Sequence, residues 1–180
     1  MAVAAGIMVP HPPLIVPDVG RGQEILIKDT IKAYQEAAGM AAELKPDTIV
    51  VISPHAVMYA DYFHVSPGKE ARGDFGRFMA PQIGVEAGYD EAFVRELDRL
   101  CGDDGFPMGT EGEREKELDH GTLVPLYFIN QHYRDYKLVR IGGSGLSFAD
   151  HYRAGRYIAR AAENLGRSVF IVASGDLSHK

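Results

Sequence analysis

A single cysteine, Cys101, stands among the 180 residues, so no disulfide can close within the chain and a reducing compartment suits it. Its helix-like surroundings mark it as a small buried hydrophobe. Positive charge is also in short supply. Lys and Arg number 19 against 25 Asp and Glu, a formal net charge of -6, and the cations are scattered. No electrostatic footprint for nucleic acid or an anionic membrane surface results, and both are excluded as partners. Long apolar runs are missing: the opening MAVAAGIMV has no basic leader and meets PHPP too soon for a signal peptide or a bilayer span. A cytoplasmic setting is therefore expected. Linkers rich in Ser and Gly, breaks in composition and solenoid-length repeats are absent too, which favours one domain.

What is present is an ordinary globular composition, 46% hydrophobic and 24% charged, long enough to bury a core. Mostly continuous apolar runs at 3–9, 48–53, 136–141 and 168–173 read as strands buried on both faces. Between them lie helical patterns. Ile27, Ile31, Tyr34, Ala38 and Ala41 recur at spacings of three and four, and Lys45-Pro46 closes that helix. A second helix is expected near 90–101. A third runs from a Ser147 cap, with Asp150 three residues on, to Gly166, burying Ala154, Ile158, Ala161 and Leu165. A fourth begins near HGTLVPLYFINQHY, with Pro125 placed in its first turn. Segment 54–88 reads as an excursion, with YFHVS and QIGVE as short strands of an edge hairpin around PGKEARGDFGRF. The alternation predicts a three-layer αβα fold, class α/β, with a central mostly parallel sheet.

In such sheets ligands bind beyond the carboxyl ends of the strands, where loops from distant parts of the chain converge. IMVPH and VISPH share a frame of apolar strand, proline and histidine, placing His11 and His55 just beyond their strands. Proline fixes its own φ and stiffens the loop that aims the imidazole. His179 follows the last strand after a Gly turn, and His120 in LDHGT precedes a helix. Neutral imidazoles suit Zn, Cu and Fe(II), and two of them with one carboxylate make the facial triad of non-heme iron. His64, His132 and His151 are expected to be structural or exposed. RIGGSGLS at 140–147 could cradle an anion. It lacks the spacing of a dinucleotide loop, a P-loop or a nucleophile elbow, so it reads as a turn, and a phosphate-ester hydrolase has no other support. EGEREKE at 111–117 reads as a solvated charged loop that could form part of a lid.

MVPHPPLIVPDVG, VVISPHAVMYADYFHVSPG, GDFGRFMAP, LDHGTLVPLYFIN and ASGDLSH, in that order along essentially the whole chain, carry a family resemblance. The chain resembles the catalytic LigB-type subunit of class III extradiol ring-cleavage dioxygenases, and within it the LigB-like domain of the AmmeMemoRadiSam system. The resemblance implies Fe(II), with Zn as the other candidate metal, held by His11 and His55. It implies a Glu as third ligand, placed beyond residue 180, so that residues 1–180 are expected to be one such domain cut short at its C-terminal end. His179 matches the acid-base histidine of the family, and His120 its second-sphere histidine. The implied substrates are a catechol-type small molecule and O2, and a homodimer is expected. The related Memo-type proteins carry an Asp and a His near the metal, matching Asp176 and His179, with a Cys in place of the Glu. They supply the alternative: a metal-binding protein without ring cleavage.

Overall fold

Apolar runs with no polar face can persist in water only inside a sheet covered on both sides, and the computed structural model, which describes residues 2–176, shows that arrangement. In chain order the elements are β1 (Val3–Val9), α1 (Pro17–Gly20), α2 (Lys28–Leu44), β2 (Thr48–Ser53), β3 (Phe63–His64), β4 (Glu70–Phe75) and β5 (Ala80–Gly88). Then follow α3 (Glu91–Asp103), β6 (Met108–Gly109), α4 (His120–Ile129), β7 (Lys137–Gly142), α5 (Phe148–Leu165) and β8 (Val169–Ser174). The central sheet has the order β1-β8-β2-β7 with every pairing parallel. Ile49, Val51, Phe170 and Val172 pack on one face against Tyr34, Ala38 and Ala41 of α2 and Leu123 and Leu126 of α4. Val50, Val139, Ile141 and Val169 pack on the other against Phe93 and Leu97 of α3 and Ile158 and Ala161 of α5. Each such side chain contributes roughly 1.5–3 kcal/mol by leaving water. The result is a three-layer αβα fold, as the alternation of strands and helices predicts.

The caps read from sequence are present. The Ser147 hydroxyl accepts the Asp150 N–H and donates to its carboxylate, and Gly166 closes α5 at φ 62. Four expectations need correction. The first strand is not buried on both faces: β1 lies at a sheet edge and its Met8 is 58% exposed, because neighbours cover it on one side only. The hairpin partners differ, since β4 comes from the polar GKEARGDF stretch and pairs antiparallel with β5, while β3 pairs with β6. Leu165 ends α5 on the solvent side rather than in its buried stripe. Pro125 lies well inside α4, beyond the first turn, and its consequence reaches the site.

Candidate metal centre

Three strands and one helix end deliver the site. His11 follows β1, His55 follows β2, Asp176 follows β8, and His120 is the first residue of α4. Because β8 lies between β1 and β2, the chain just beyond Ser174 runs beside His11, and the Gly175 amide donates to the Val9 carbonyl. His11, His55 and His120 each present a ring nitrogen, and these atoms lie within 4.8 Å of one another. The Nε2 atoms of His11 and His55 stand 3.1 Å apart.

His11 is 2% exposed, and its Nδ1 is 2.9 Å from the Ser174 hydroxyl. That hydroxyl donates its one proton to the Gly121 carbonyl, so it accepts from Nδ1–H and leaves the Nε2 lone pair facing His55. Here the interior proline matters. A helix would pair the Gly121 carbonyl with the N–H of residue 125, which proline lacks, so the carbonyl is available to Ser174. Asp176 accepts the His11 backbone N–H at 3.3 Å, and its other oxygen is 3.8 Å from His11 Nε2.

His55 and His120 are held by a different group. Asp119 caps α4 by accepting the Thr122 amide and hydroxyl at 3.1 and 2.9 Å, and it accepts the Ser53 hydroxyl at 2.6 Å. Ser53 in turn accepts the His55 backbone N–H at 3.1 Å. Gly121 is needed for space: a Cβ there would lie 2.4 Å from Ser53 Oγ and 3.3 Å from His55 Cδ2. Burial, and then the neighbouring His55 and His11, hold the His120 pKa below its ordinary value and so favour the neutral, ligating form.

These residues fit a divalent ion. The 3.1 Å between the two nitrogens is a hydrogen-bond distance between the rings, and it is also short enough for both to reach one divalent ion at roughly 2.0–2.1 Å each. Ligating histidines commonly donate their other ring N–H to a fixed oxygen, as His11 Nδ1 does to Ser174.

A cavity of about 540 Å³ opens beside His55 and His120, walled by Phe78, Leu118 and Leu123 and by the 114–117 segment. Phe78 meets the His120 ring edge-on, with centroids 5.5 Å apart. The charged loop of the sequence is thus a cavity wall. Its side chains are exposed as expected except that of Glu113, which is half-buried beside His64, and its backbone is fastened, since Glu115 and Glu117 give their carbonyls to Arg140. A larger groove of about 780 Å³ between β5 and the end of α4 is remote from the histidines.

Of the residues singled out from sequence, His11, His55, His120 and Asp176 come together, while His179 lies outside the described residues. His132 and His151 are exposed, and His64 is buried in β3. Gly142 packs where a Cβ would overlap the Val57 carbonyl, and the Gly143 and Gly145 amides donate to the Ser53 and Tyr59 carbonyls. The glycine-rich turn is therefore a packing device and not an anion cradle. Ser53, Asp119, Gly121, Ser174 and Phe78 were not foreseen. All five lie within the stretches that carry the resemblance, and four are within one or two residues of a candidate group, but neither signal gave them a role.

The chain matches, over residues 5–180, the family described as the catalytic LigB subunit of aromatic ring-opening dioxygenase. It belongs to that family. The LigB relatives include Protein CA_C1420 of Clostridium acetobutylicum, 37% identical over an alignment of 180 positions that covers 96% of this chain and 38% of that protein. They also include a 3,4-dihydroxyphenylacetate 2,3-dioxygenase of Escherichia coli, 26% identical over an alignment of 156 positions that covers 83% of this chain and 56% of that enzyme. This LigB chain thus spans 38% and 56% of the length of these two relatives. LigB-family dioxygenases use a metal, in keeping with the histidine cluster, and no helix among the described residues is long and apolar enough to cross a membrane.

Proposed function

We propose that this LigB chain carries the centre of an extradiol-type dioxygenase, in which His11 and His55 hold Fe(II) and a catechol-type diol is opened with O2. The observation that carries the reading is the pair of Nε2 atoms 3.1 Å apart, one of them given its tautomer by Ser174. The resemblance implies a carboxylate as the third ligand. Iron bound there would supply the electron transfer between diol and O2 that ring opening requires. The chain's own residues do the rest. Phe78 offers an aromatic face to the ring in a cavity of about 540 Å³, a volume suited to a small ligand, whose other lining is largely charged, with Asp74, Arg77, Arg114 and Lys116 around it. His120, kept neutral by burial, hydrogen-bonds the diol or O2 at the inner end of that cavity. Asp176 orients His11 through its backbone N–H. His179 is assigned the acid-base role, taking a diol proton and returning one as the ring opens. The test is O2 uptake by the iron-loaded protein across a panel of catechols. Uptake that disappears in His11→Ala supports the reading, and no uptake with any catechol sinks it.

One observation favours a second reading. Asp176 brings a carboxylate oxygen to 3.8 Å from His11 Nε2, the Asp that the Memo-type motif carries. A protein that purifies with zinc or copper and ignores catechols would establish that alternative.

A further inference from the structure

The largest fully buried side chain in the fold is not apolar: it is Arg140 on β7, at 0% exposure. The chemistry proposed above makes no use of it. A guanidinium withdrawn from water is costly unless its protons and its charge are met by fixed partners. Two are met by backbone, since Nη1 donates to the Glu117 carbonyl at 2.9 Å and Nη2 to the Glu115 carbonyl at 3.0 Å. Its charge faces the Asp119 carboxylate in a side chain 8% exposed, with Oδ2 3.7 Å from Nε, an ion-pair contact that leaves the Nε–H without a hydrogen-bond partner. From Asp119 the bonds run onward to the site. One line goes through the Ser53 hydroxyl at 2.6 Å to the His55 backbone N–H at 3.1 Å. The other goes through the cap on the Thr122 amide to the first turn of α4, which begins with His120.

We infer that Arg140 and Asp119 form a buried positioning pair that sets His55 and His120 in place and fastens the 115–119 segment as the wall of the cavity. The inference rests on the metal centre proposed above, with His11 and His55 as ligands and His120 beside them, but the pair's own contacts do not depend on the reaction. The guanidinium supplies what a lysine cannot, a planar fork that reaches two carbonyls while keeping its charge beside a carboxylate. His11 stands outside this line of bonds, because Ser174 holds it from the other side.

The test compares the intact chain with Asp119→Asn, Arg140→Lys and Ser53→Ala, each checked for folding by thermal melting. In metal-free protein, ring-nitrogen NMR signals of His55 and His120 move in Asp119→Asn and Arg140→Lys, while those of His132 and His151 stay. Ser53→Ala moves His55 more than His120. In Co(II) titrations followed by ligand-field absorption, Asp119→Asn binds roughly 10- to 100-fold more weakly, and adding Arg140→Lys to it costs little more, as expected for groups acting in series. Unmoved His55 and His120 signals in folded Asp119→Asn would overturn the inference, as would strictly additive losses in affinity. If Arg140→Lys does not fold, the Asp119→Asn and Ser53→Ala signals decide the matter. If the unaltered protein takes up no Co(II), the metal-centre reading falls alone, and the ring signals still decide the pair.

Discussion

Two imidazoles among the described residues are almost wholly enclosed, His11 at 2% exposure beyond β1 and His64 at 0% in β3, and their surroundings differ in kind. Around His11 each polar atom has an assigned role. Ser174 meets Nδ1, Nε2 faces His55, and the backbone N–H reaches Asp176. Around His64 neither ring nitrogen has a hydrogen-bond partner, and the nearest carboxylate, on Glu113, is 4.0 Å away. Burial alone therefore does not mark a functional histidine. What distinguishes the site is that its surroundings decide which nitrogen carries the proton and leave the other aimed at a second donor.

The contrast is broken most severely by removing a ring from the site: His11→Ala is expected to abolish stoichiometric metal binding, read by metal analysis after dialysis. Ser174→Ala keeps both rings but lets the His11 tautomer go. A loss of metal affinity of roughly 10- to 100-fold is expected, with the fold intact. Affinity unchanged in Ser174→Ala would refute the role given to that hydroxyl. Gly121→Ala pushes a methyl into Ser53 and His55 and should cost about 1–3 kcal/mol in a denaturant titration, as overpacking does.

On the His64 side the sign reverses. A buried polar group without a partner costs about 1–3 kcal/mol, so His64→Leu, similar in volume, should raise stability by about 1 kcal/mol, where the same change at His11 destroys the site. The smallest effect is one of pH. Burial, the foremost cause, lowers the His64 pKa, opposed by Glu113 and assisted by Arg140 and Arg114. The unfolded chain takes up a proton below about pH 6.5, which the folded His64 refuses until lower pH. Stability from neutral His64 is therefore complete above that pH and is lost as pH falls toward the folded pKa. The melting temperature of the metal-free protein should drop more steeply between pH 7 and pH 5 than that of His64→Leu, on the order of a few degrees. Parallel profiles would show that His64 does not titrate in this way.

Much of the architecture was legible because it rests on local periodicity. β2 and β8 are nearly continuous apolar runs and β7 is one interrupted by Arg140, α2 and α5 have repeats of three and four, and Ser147 is a cap by residue type alone. Legibility failed where a polar stretch had to pair, as in β4, whose alternation is masked by Gly73 and Asp74. It failed again at Pro125, where residue type argued for a first-turn position and packing placed it in the helix interior. In the site, His11 and His55 announced themselves through the repeated strand-Pro-His frame. Ser53, Asp119 and Ser174 could not, since a serine or aspartate near a strand end has many ordinary uses and only its partner reveals which one applies.

Local sequence settles that imidazoles stand just past β1 and β2, because each apolar run ends at a proline and the histidine follows it directly. It does not settle which strands lie side by side. The order β1-β8-β2-β7 follows from how the crossover helices pack on the sheet, and it is this order that carries Ser174 and Asp176 from the far end of the chain to His11. Likewise, nothing in VRIGG tells that Arg140 turns inward to the 115–119 segment. That placement depends on two backbone carbonyls and a carboxylate arriving from another part of the chain to receive the charge.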